Sequence, residues 1–223
     1  LVGDAEVNGL IQATRSNINN QKAVQVASKA KSIGRAYQDK MITGTGANNE
    51  IDGLINLVPT AQKIAPATNG TALSFASMDA CMDLVTDKDG VVDYIMMHSR
   101  TIRSYYALLR ALGGAGINET VALPSGKQVP AYRGVPIFRN DYIPINATQG
   151  TNTTSTHVIM GTLDDGSMMH GISGLTASGS AGIQIEEVGV AETKDETITR
   201  VKWYNGLALF SNLGIAHMYG ITD

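Results

Sequence analysis

The side chains best suited to metal binding or nucleophilic catalysis are four histidines and one cysteine, and they are scattered along the chain. His98 lies between a predicted strand and a predicted helix, His157 begins a predicted strand, His170 lies in a Gly- and Met-containing loop, and His217 lies in the last apolar run. Zinc ligands usually stand about four residues apart on a helix or close together around a turn. No two histidines have that spacing, and Cys81 has no second cysteine. The sequence therefore predicts no metal site.

Two pairs of adjacent carboxylates are the remaining candidates for acid–base chemistry. Asp164 and Asp165 precede a glycine, which is typical of a turn, while Glu186 and Glu187 lie in a predicted strand, where neighbouring side chains point to opposite faces. Lys127, in LPSGK, lacks the glycine spacing of a phosphate-binding loop. We therefore assign no catalytic, cofactor-binding or metal-binding residue and predict that the protein is not an enzyme.

The composition indicates a globular protein with a substantial core. A chain of 223 residues forms one large domain or two small ones and buries roughly 70% of its surface on folding. Its net charge of -3 argues against a general nucleic-acid binder, which carries a clustered basic surface. Cys81 stands at helical spacing with Met78, Met82 and Val85, which predicts a buried thiol and a reducing compartment.

The sequence contains no membrane signal. Its longest apolar tract, from Gly206 to Ile221, includes polar residues and glycines and is predicted to form sheet rather than a transmembrane helix. The first residue is Leu1 rather than Met, and no secretory signal follows it. We expect that the natural N-terminus has been removed.

A long amphipathic helix is predicted from Asn19 to about Ile42, with Asn19 or Asn20 as its cap. Its apolar stripe consists of Val26, Ala30, Ile33, Tyr37 and Met41. Its other face carries the basic residues Lys22, Lys29, Lys31, Arg35 and Lys40. That face is either solvated or a contact surface for an acidic partner.

Two further helices follow, separated by a short strand in VDYIMMH. The first is predicted from Ser74 to about Thr86. The second is predicted to begin at Ser99 as its cap and to end at Leu112, where Gly113 and Gly114 stop it. The buried stripe of the second helix is predicted to comprise Ile102, Tyr105 or Tyr106, Leu109 and Leu112.

From about Val121 the hydrophobic period changes from 3.6 to 2, which predicts strands. The predicted strands cover residues 129–133, 135–143, 156–163, 183–190, 198–204 and 206–219. Two polar tracts between them, NATQGTNTTSTH and DDGSMMHGISGLTASGSAG, are predicted to be linkers. A helix-rich first part and a strand-rich second part predict an α+β fold.

The most patterned stretch is YRGVPIFRNDYIP, from Tyr132 to Pro144. It alternates, breaks at Gly134 and alternates again, which predicts two strands joined by a bend that glycine permits. Pro136 and Pro144 remove backbone donors, which favours sheet edges and bends over a central position.

Several of these segments, taken in order, resemble the major capsid proteins of tailed bacteriophages, whose Hong Kong ninety-seven type fold is shared with encapsulin shells. The similar segments are the helix NNQKAVQVASKAKSIGRAYQDKMITGTG, IDGLINLVP, DYIMMHSRTIRSYYALLRALGG, VPAYRGVPIFRNDYIP and the closing RVKWYNGLALFSNLGIAHMYGI. They span most of residues 15 to 221.

The resemblance implies a peripheral domain, residues 1–65 and 191–223, with a long spine helix on a sheet, and an axial domain, residues 66–190, with helices around a central sheet. It implies a structural shell subunit of a phage or prophage capsid, assembled in the bacterial cytoplasm as pentamers and hexamers. Its expected partners are other copies of itself, a scaffold protein and weakly bound enclosed DNA, with no membrane. The alternatives are an encapsulin-type compartment housing a cargo enzyme and, in a different class, a hydrolase or transferase.

The chain departs from the family in one respect. Members normally carry an N-terminal arm and a long extended hairpin before the spine helix, whereas this sequence starts almost at that helix. We therefore expect the chain as given to assemble poorly and the intact product to build shells.

Overall fold

The computed structural model describes residues 1–15, 20–88, 90–113, 119–179 and 181–222. The helices are α1 (Gly9–Arg15), α2 (Gln21–Thr43), α3 (Leu54–Leu57), α4 (Phe75–Thr86) and α5 (Ser99–Ala111), and a 3-10 turn covers Thr60–Gln62. The strands are β1 (Val2–Asn8), β2 (Lys63–Ile64), β3 (Tyr94–Met97), β4 (Thr120–Ala122), β5 (Gln128–Tyr132), β6 (Val135–Arg139), β7 (Ala147–Gln149), β8 (Asn152–Gly161), β9 (Ile172–Thr176), β10 (Gln184–Val190), β11 (Glu196–Lys202), β12 (Asn205–Leu209) and β13 (Ile215–Ile221).

The chain divides into two compact units, each built from two stretches of sequence. The first comprises Leu1–Lys40 and Gly174–Gly206, and the second comprises Met41–Ser173 and Leu207–Asp223. These boundaries differ from those of the predicted domains, because β10 pairs with β11 in the first unit while β13 lies inside the large sheet of the second. The assignment of a peripheral and an axial role stays a prediction.

The first unit is a three-stranded antiparallel sheet, in the order β1-β11-β10, against which α2 packs. Ile33, on the predicted apolar stripe of α2, is buried. Tyr37, on the same stripe, packs against Trp203 with the ring centroids 4.6 Å apart. Asn20 caps the helix, since its Oδ1 accepts a hydrogen bond from Ala23 N at 3.2 Å. The predicted alternative cap, Asn19, lies outside the described residues.

The second unit is built on an eight-stranded mixed sheet. Its strand order is β2-β13-β8-β3-β6-β5-β4, with β7 paired to β8. The faces alternate along each strand: Val158 and Met160 belong to the cluster that includes α4 and α5, whereas Ile159 packs on the other face with Leu54 and Ile143. Both faces of the sheet are therefore covered within this unit.

The residues predicted to be buried in helix α4 are confirmed. Met78, Cys81, Met82 and Val85 are all buried. Ser74 begins the helix with a capping box, in which its Oγ accepts from Ser77 N at 3.1 Å and Ser77 Oγ accepts from Ser74 N at 3.2 Å.

The helix α5 corrects two predictions. Its cap is His98 rather than Ser99, because His98 Nδ1 accepts a hydrogen bond from Arg100 N at 3.0 Å. Tyr105 and Leu109 are buried as predicted, but Leu112 is 58% exposed because the helix has already ended at Ala111. The second predicted stop residue, Gly114, lies outside the described residues.

The predicted bend in YRGVPIFRNDYIP is the turn between β5 and β6. Arg133 and Gly134 both have positive φ, +51° and +80°, as a tight hairpin requires. The edge position expected for Pro136 is wrong, since β6 lies between β3 and β5. The proline is tolerated because the pairing with β3 begins only at Ile137.

The two predicted linkers contain strands. NATQGTNTTSTH forms β7 and the first half of β8, and DDGSMMHGISGLTASGSAG contains β9, which pairs with β12. The predicted strand 206–219 is two strands, β12 and β13, and the predicted strand 135–143 ends at Arg139. No helix in the described part of the chain is long and apolar enough to cross a membrane.

Candidate assembly surfaces

The structure brings together two of the four histidines. His217 Nε2 and His157 Nδ1 lie 3.0 Å apart between β13 and β8. Burial is the main cause that lowers the pKa of His157 to about 4 and that of His217 to about 3. By contrast, His98 is a helix cap, and His170 lies in a loop with its Nε2 3.9 Å from Asp165.

The other candidate groups have structural roles. Asp164 Oδ1 and Asp165 Oδ1 accept hydrogen bonds from Met168 N and Ser167 N, which confirms the predicted turn. Burial raises the pKa of the Cys81 thiol to about 12, so it is a poor nucleophile. Within the described residues, no group of three or more His, Cys, Asp or Glu side chains could hold a metal ion. The remaining question is therefore which surfaces meet other molecules.

The first unit exposes a charged sheet face opposite α2. Asp4 on β1 and Arg200 on β11 form a bidentate ion pair, in which Arg200 Nε donates to Asp4 Oδ1 at 2.9 Å and Arg200 Nη2 donates to Asp4 Oδ2 at 3.0 Å. The hydrogen bond from Arg200 holds the pKa of Asp4 below its usual value. Lys202 pairs with Glu186 on the same face. An ordered array of both charge signs can recognise a complementary surface more readily than it can bind a small molecule.

The outer strand of this sheet, β10, is the least covered strand of the unit. Six of its seven residues are exposed, and β11 is the one strand among the described residues that pairs with it. Ile185, Val188 and Val190 are 59%, 50% and 71% exposed. Glu187, next to Val188, pairs with Lys22 of α2. An apolar edge strand with free backbone groups is a ready site for another protein chain.

The second unit presents a loop that exposes apolar side chains. Met168 and Met169 are 68% and 79% exposed, and Leu163 at the start of the loop is 54% exposed. Met168 has φ +57°, and the turn is fixed by the hydrogen bonds to Asp164 and Asp165. Flexible, polarizable methionines adapt well to protein partners.

An aromatic groove on the second unit lies beside the tip of the β5–β6 hairpin. Tyr132 stacks on Phe75 with the centroids 5.8 Å apart, and Tyr132 donates to Asp79 Oδ1 at 2.7 Å. Arg133 also donates to Asp79, at 3.2 Å. Tyr105, at the base of the groove, donates to Ala131 O at 2.7 Å, so these bonds hold the hairpin against α4 and α5.

Sequence reasoning missed the histidine pair and the open edge of β10. Both depend on which strands become neighbours, and the two histidines are 60 residues apart. The sequence does place His157 and His217 in predicted strands. The histidine pair could be predicted only if it were known that these two strands are neighbours. The exposure of β10 could not be inferred, because the pattern of residues 183–190 predicts a strand but not which strands lie beside it.

The comparisons with known proteins agree on one type of fold. The family model for the type 2A encapsulin shell protein, SrpI-like, matches residues 15–213. The holo-SrpI encapsulin complex from Synechococcus elongatus PCC 7942 superposes with a TM-score of 0.80 at 18% identity, covering 99% of this chain and 73% of that chain. Comparison with curated protein sequences gives no match.

Capsid structures are also similar. The capsid of the native GTA particle gives a TM-score of 0.67 at 11% identity, covering 100% of this chain and 72% of that chain. The capsid of Myoviridae phage XM1 gives 0.63 at 12% identity, covering 99% and 72%.

The solved structures show that the chain has the Hong Kong ninety-seven type capsid fold, and the matching family model describes a structural shell protein. The chain belongs to the SrpI-like family of type 2A encapsulin shell proteins. The predicted α+β fold and the predicted resemblance are thus confirmed. The choice of a phage capsid over an encapsulin is not confirmed.

Proposed function

We propose that the protein is the shell subunit of an encapsulin-type compartment, in which many copies enclose a protein cargo. The observation that carries this proposal is the family match over residues 15–213, supported by the TM-score of 0.80 with the holo-SrpI encapsulin complex. The phage capsid XM1 aligns over a similar share of the chain with a lower TM-score, 0.63.

Broad surfaces rather than a pocket carry this function. A shell repeats the same contact between copies around closed rings, so its stability depends on complementary surfaces. The apolar edge of β10 and the charged face around Arg200 have the character that such contacts need. We assign the contact on β10 to a second copy of this chain.

Electron microscopy of the purified full-length product, with mass spectrometry and nucleic-acid analysis of the particles, tests the proposal. We expect closed shells that contain a specific co-purifying protein and little DNA. Shells filled with DNA would instead support the phage or prophage capsid predicted from the sequence, together with its scaffold protein and its place in a virion. A protein that forms no shells under any condition would contradict both.

The role of β10 has its own test. Val190→Asp places a charge on the apolar edge and should abolish shell formation while the subunit remains folded. Val190→Thr, which keeps the β-branched shape, is the matched control and should still assemble. Normal shells from Val190→Asp would remove β10 from the interface without affecting the cargo proposal.

A further inference from the structure

A cavity of about 340 Å³ opens beside the buried histidine pair of the second unit. Its polar lining includes Lys63, His157, Thr45 and Asn56, and its apolar lining includes Ile55 and Pro144. Lys63 is half-buried on β2, directly in register with His217 on β13. In the part of the chain that the structure describes, no carboxylate lies within ion-pair distance of the Lys63 ammonium group. The cavity therefore holds a positive charge that no described side chain neutralises.

The histidine pair adds a second donor. His217 Nδ1 is buried and has no hydrogen-bond partner among the described residues. If His157 donated to His217, the proton of His217 would lie on that buried Nδ1, and a buried N–H without an acceptor is more costly than a buried lone pair. His217 therefore donates from Nε2 to His157 Nδ1, over 3.0 Å. The proton of His157 is then on Nε2, which gives a free N–H donor on the ring that lines the cavity.

Two backbone acceptors at the cavity wall are already occupied. Gly44 O, just after the end of α2, accepts from Gly53 N at 2.9 Å. Thr45 O accepts from Asn56 Nδ2 at 3.4 Å. These oxygens, which would otherwise repel an anion, are therefore turned toward protein donors.

The two carboxylates of the same loop are also engaged elsewhere. Glu50 accepts from Thr45 Oγ1 at 3.4 Å, and Asp52 accepts from Asn56 Nδ2 at 2.7 Å. Neither carboxylate lines the cavity. The side chains that line the cavity therefore include the two nitrogen donors Lys63 and His157 and no carboxylate.

We propose that this cavity binds a small oxyanion of the phosphate or sulfate type, held by the Lys63 ammonium group and the His157 imidazole N–H. Hydrogen bonds between charged donors and oxyanions are among the strongest in proteins. The bound anion also offsets the repulsion that Lys63 now exerts on any proton added to the histidines, since that charge contributes to their lowered pKa values. The site lies within one subunit, so it does not depend on the nature of the cargo.

Isothermal titration calorimetry of the purified chain with inorganic phosphate, at constant ionic strength set with chloride, tests the proposal. Lys63→Gln should weaken binding by about ten-fold or more, because it removes a charge-assisted hydrogen bond. The control Lys127→Gln removes the same charge from the exposed β4–β5 turn and should bind like the wild type. Absent binding at millimolar phosphate, or equal losses in both variants, would overturn the site.

The role of His157 is tested with sulfate, which does not titrate near neutral pH. Because a bound anion favours the protonated imidazole, sulfate affinity should increase as the pH falls from about 7 to about 5. His157→Gln should reduce this pH dependence, with circular dichroism confirming that the variant is folded. Addition of Co²⁺ is the counter-test. If the wild type shows the visible absorption of a nitrogen-ligated Co²⁺ ion and His157→Gln does not, the site binds a cation and the proposal is contradicted.

Discussion

The two sheets of this protein differ in how completely their own chain covers them. In the eight-stranded sheet, Val158, Ile159 and Met160 of β8 are fully buried, and β13 beside it has a single half-buried residue. In the three-stranded sheet, β10 is exposed along almost its whole length. The large sheet therefore gains its burial energy within one subunit, whereas the small sheet leaves β10 exposed for the contact between copies that we propose above.

The largest effect should come from acid acting on the enclosed sheet. The pKa of His157 is lowered to about 4 and that of His217 to about 3, while an unfolded imidazole titrates near pH 6.5. Below that value the unfolded chain binds protons that the folded chain does not, so the free energy of unfolding falls as the pH decreases. From about pH 6.5 to pH 5 the loss is about 2 kcal/mol for each histidine.

Urea unfolding across this pH range measures the acid effect. His157→Gln should show about half of the wild-type slope, since one of the two buried imidazoles is gone. A stability that is constant between pH 6.5 and 5 would contradict the neutral, buried state of the pair.

A mutation that creates a cavity in the core of the enclosed sheet should have the next largest effect on stability. Ile159→Ala removes a fully buried side chain from the face that packs on Leu54 and Ile143, and it should lower the free energy of unfolding by about 3 kcal/mol. Chemical denaturation gives this value, with Ile159→Val as the milder control at about 1 kcal/mol. Equal stability of the two variants would mean that the face is poorly packed.

An intermediate effect is expected at the rim of the same sheet. Gly134 has φ +80°, and a Cβ at this position meets no atom of the described residues within 4 Å, so we expect substitution to cost backbone strain alone. Gly134→Val should lower the free energy of unfolding by about 1–2 kcal/mol, whereas Gly134→Asn should cost less because Asn tolerates positive φ. Thermal unfolding of both variants distinguishes backbone strain from a steric clash. A clash would lower the stability of the two variants equally.

The smallest effect should be found on the open sheet. Ile185→Ala and Val190→Ala on β10 should each change the stability of the unassembled subunit by no more than about 0.5 kcal/mol, because these side chains are already exposed. Assembled shells of the same variants should dissociate more readily. A loss above about 1 kcal/mol in the free subunit would show that β10 is covered by its own chain.

The periodic segments could be predicted from the sequence. The stripe of α2 and the buried set of α4 follow from local spacing, and the turn at Gly134 follows from the conformational preference of glycine. The ordered set of segments was sufficient to identify the fold.

The parts that could not be predicted depend on distant pairing or on unusual local choices. The strands β1 and β9 have weak alternation and form only because β11 and β12 lie beside them. The cap of α5 is a histidine, which is not among the preferred capping residues. The cavity beside His157 requires β2, β7, β8, α3 and the loops after α2 and before β7 to meet, which no single stretch of sequence contains.

The buried thiol of Cys81 has a practical consequence. It is the single cysteine of the chain, it is fully buried, and its raised pKa keeps it in the unreactive thiol form. The native subunit should therefore resist maleimide reagents without any mutation of Cys81. A cysteine introduced at the exposed Met169 could then be labelled selectively, providing a fluorescent or chemical handle on one known loop of every subunit.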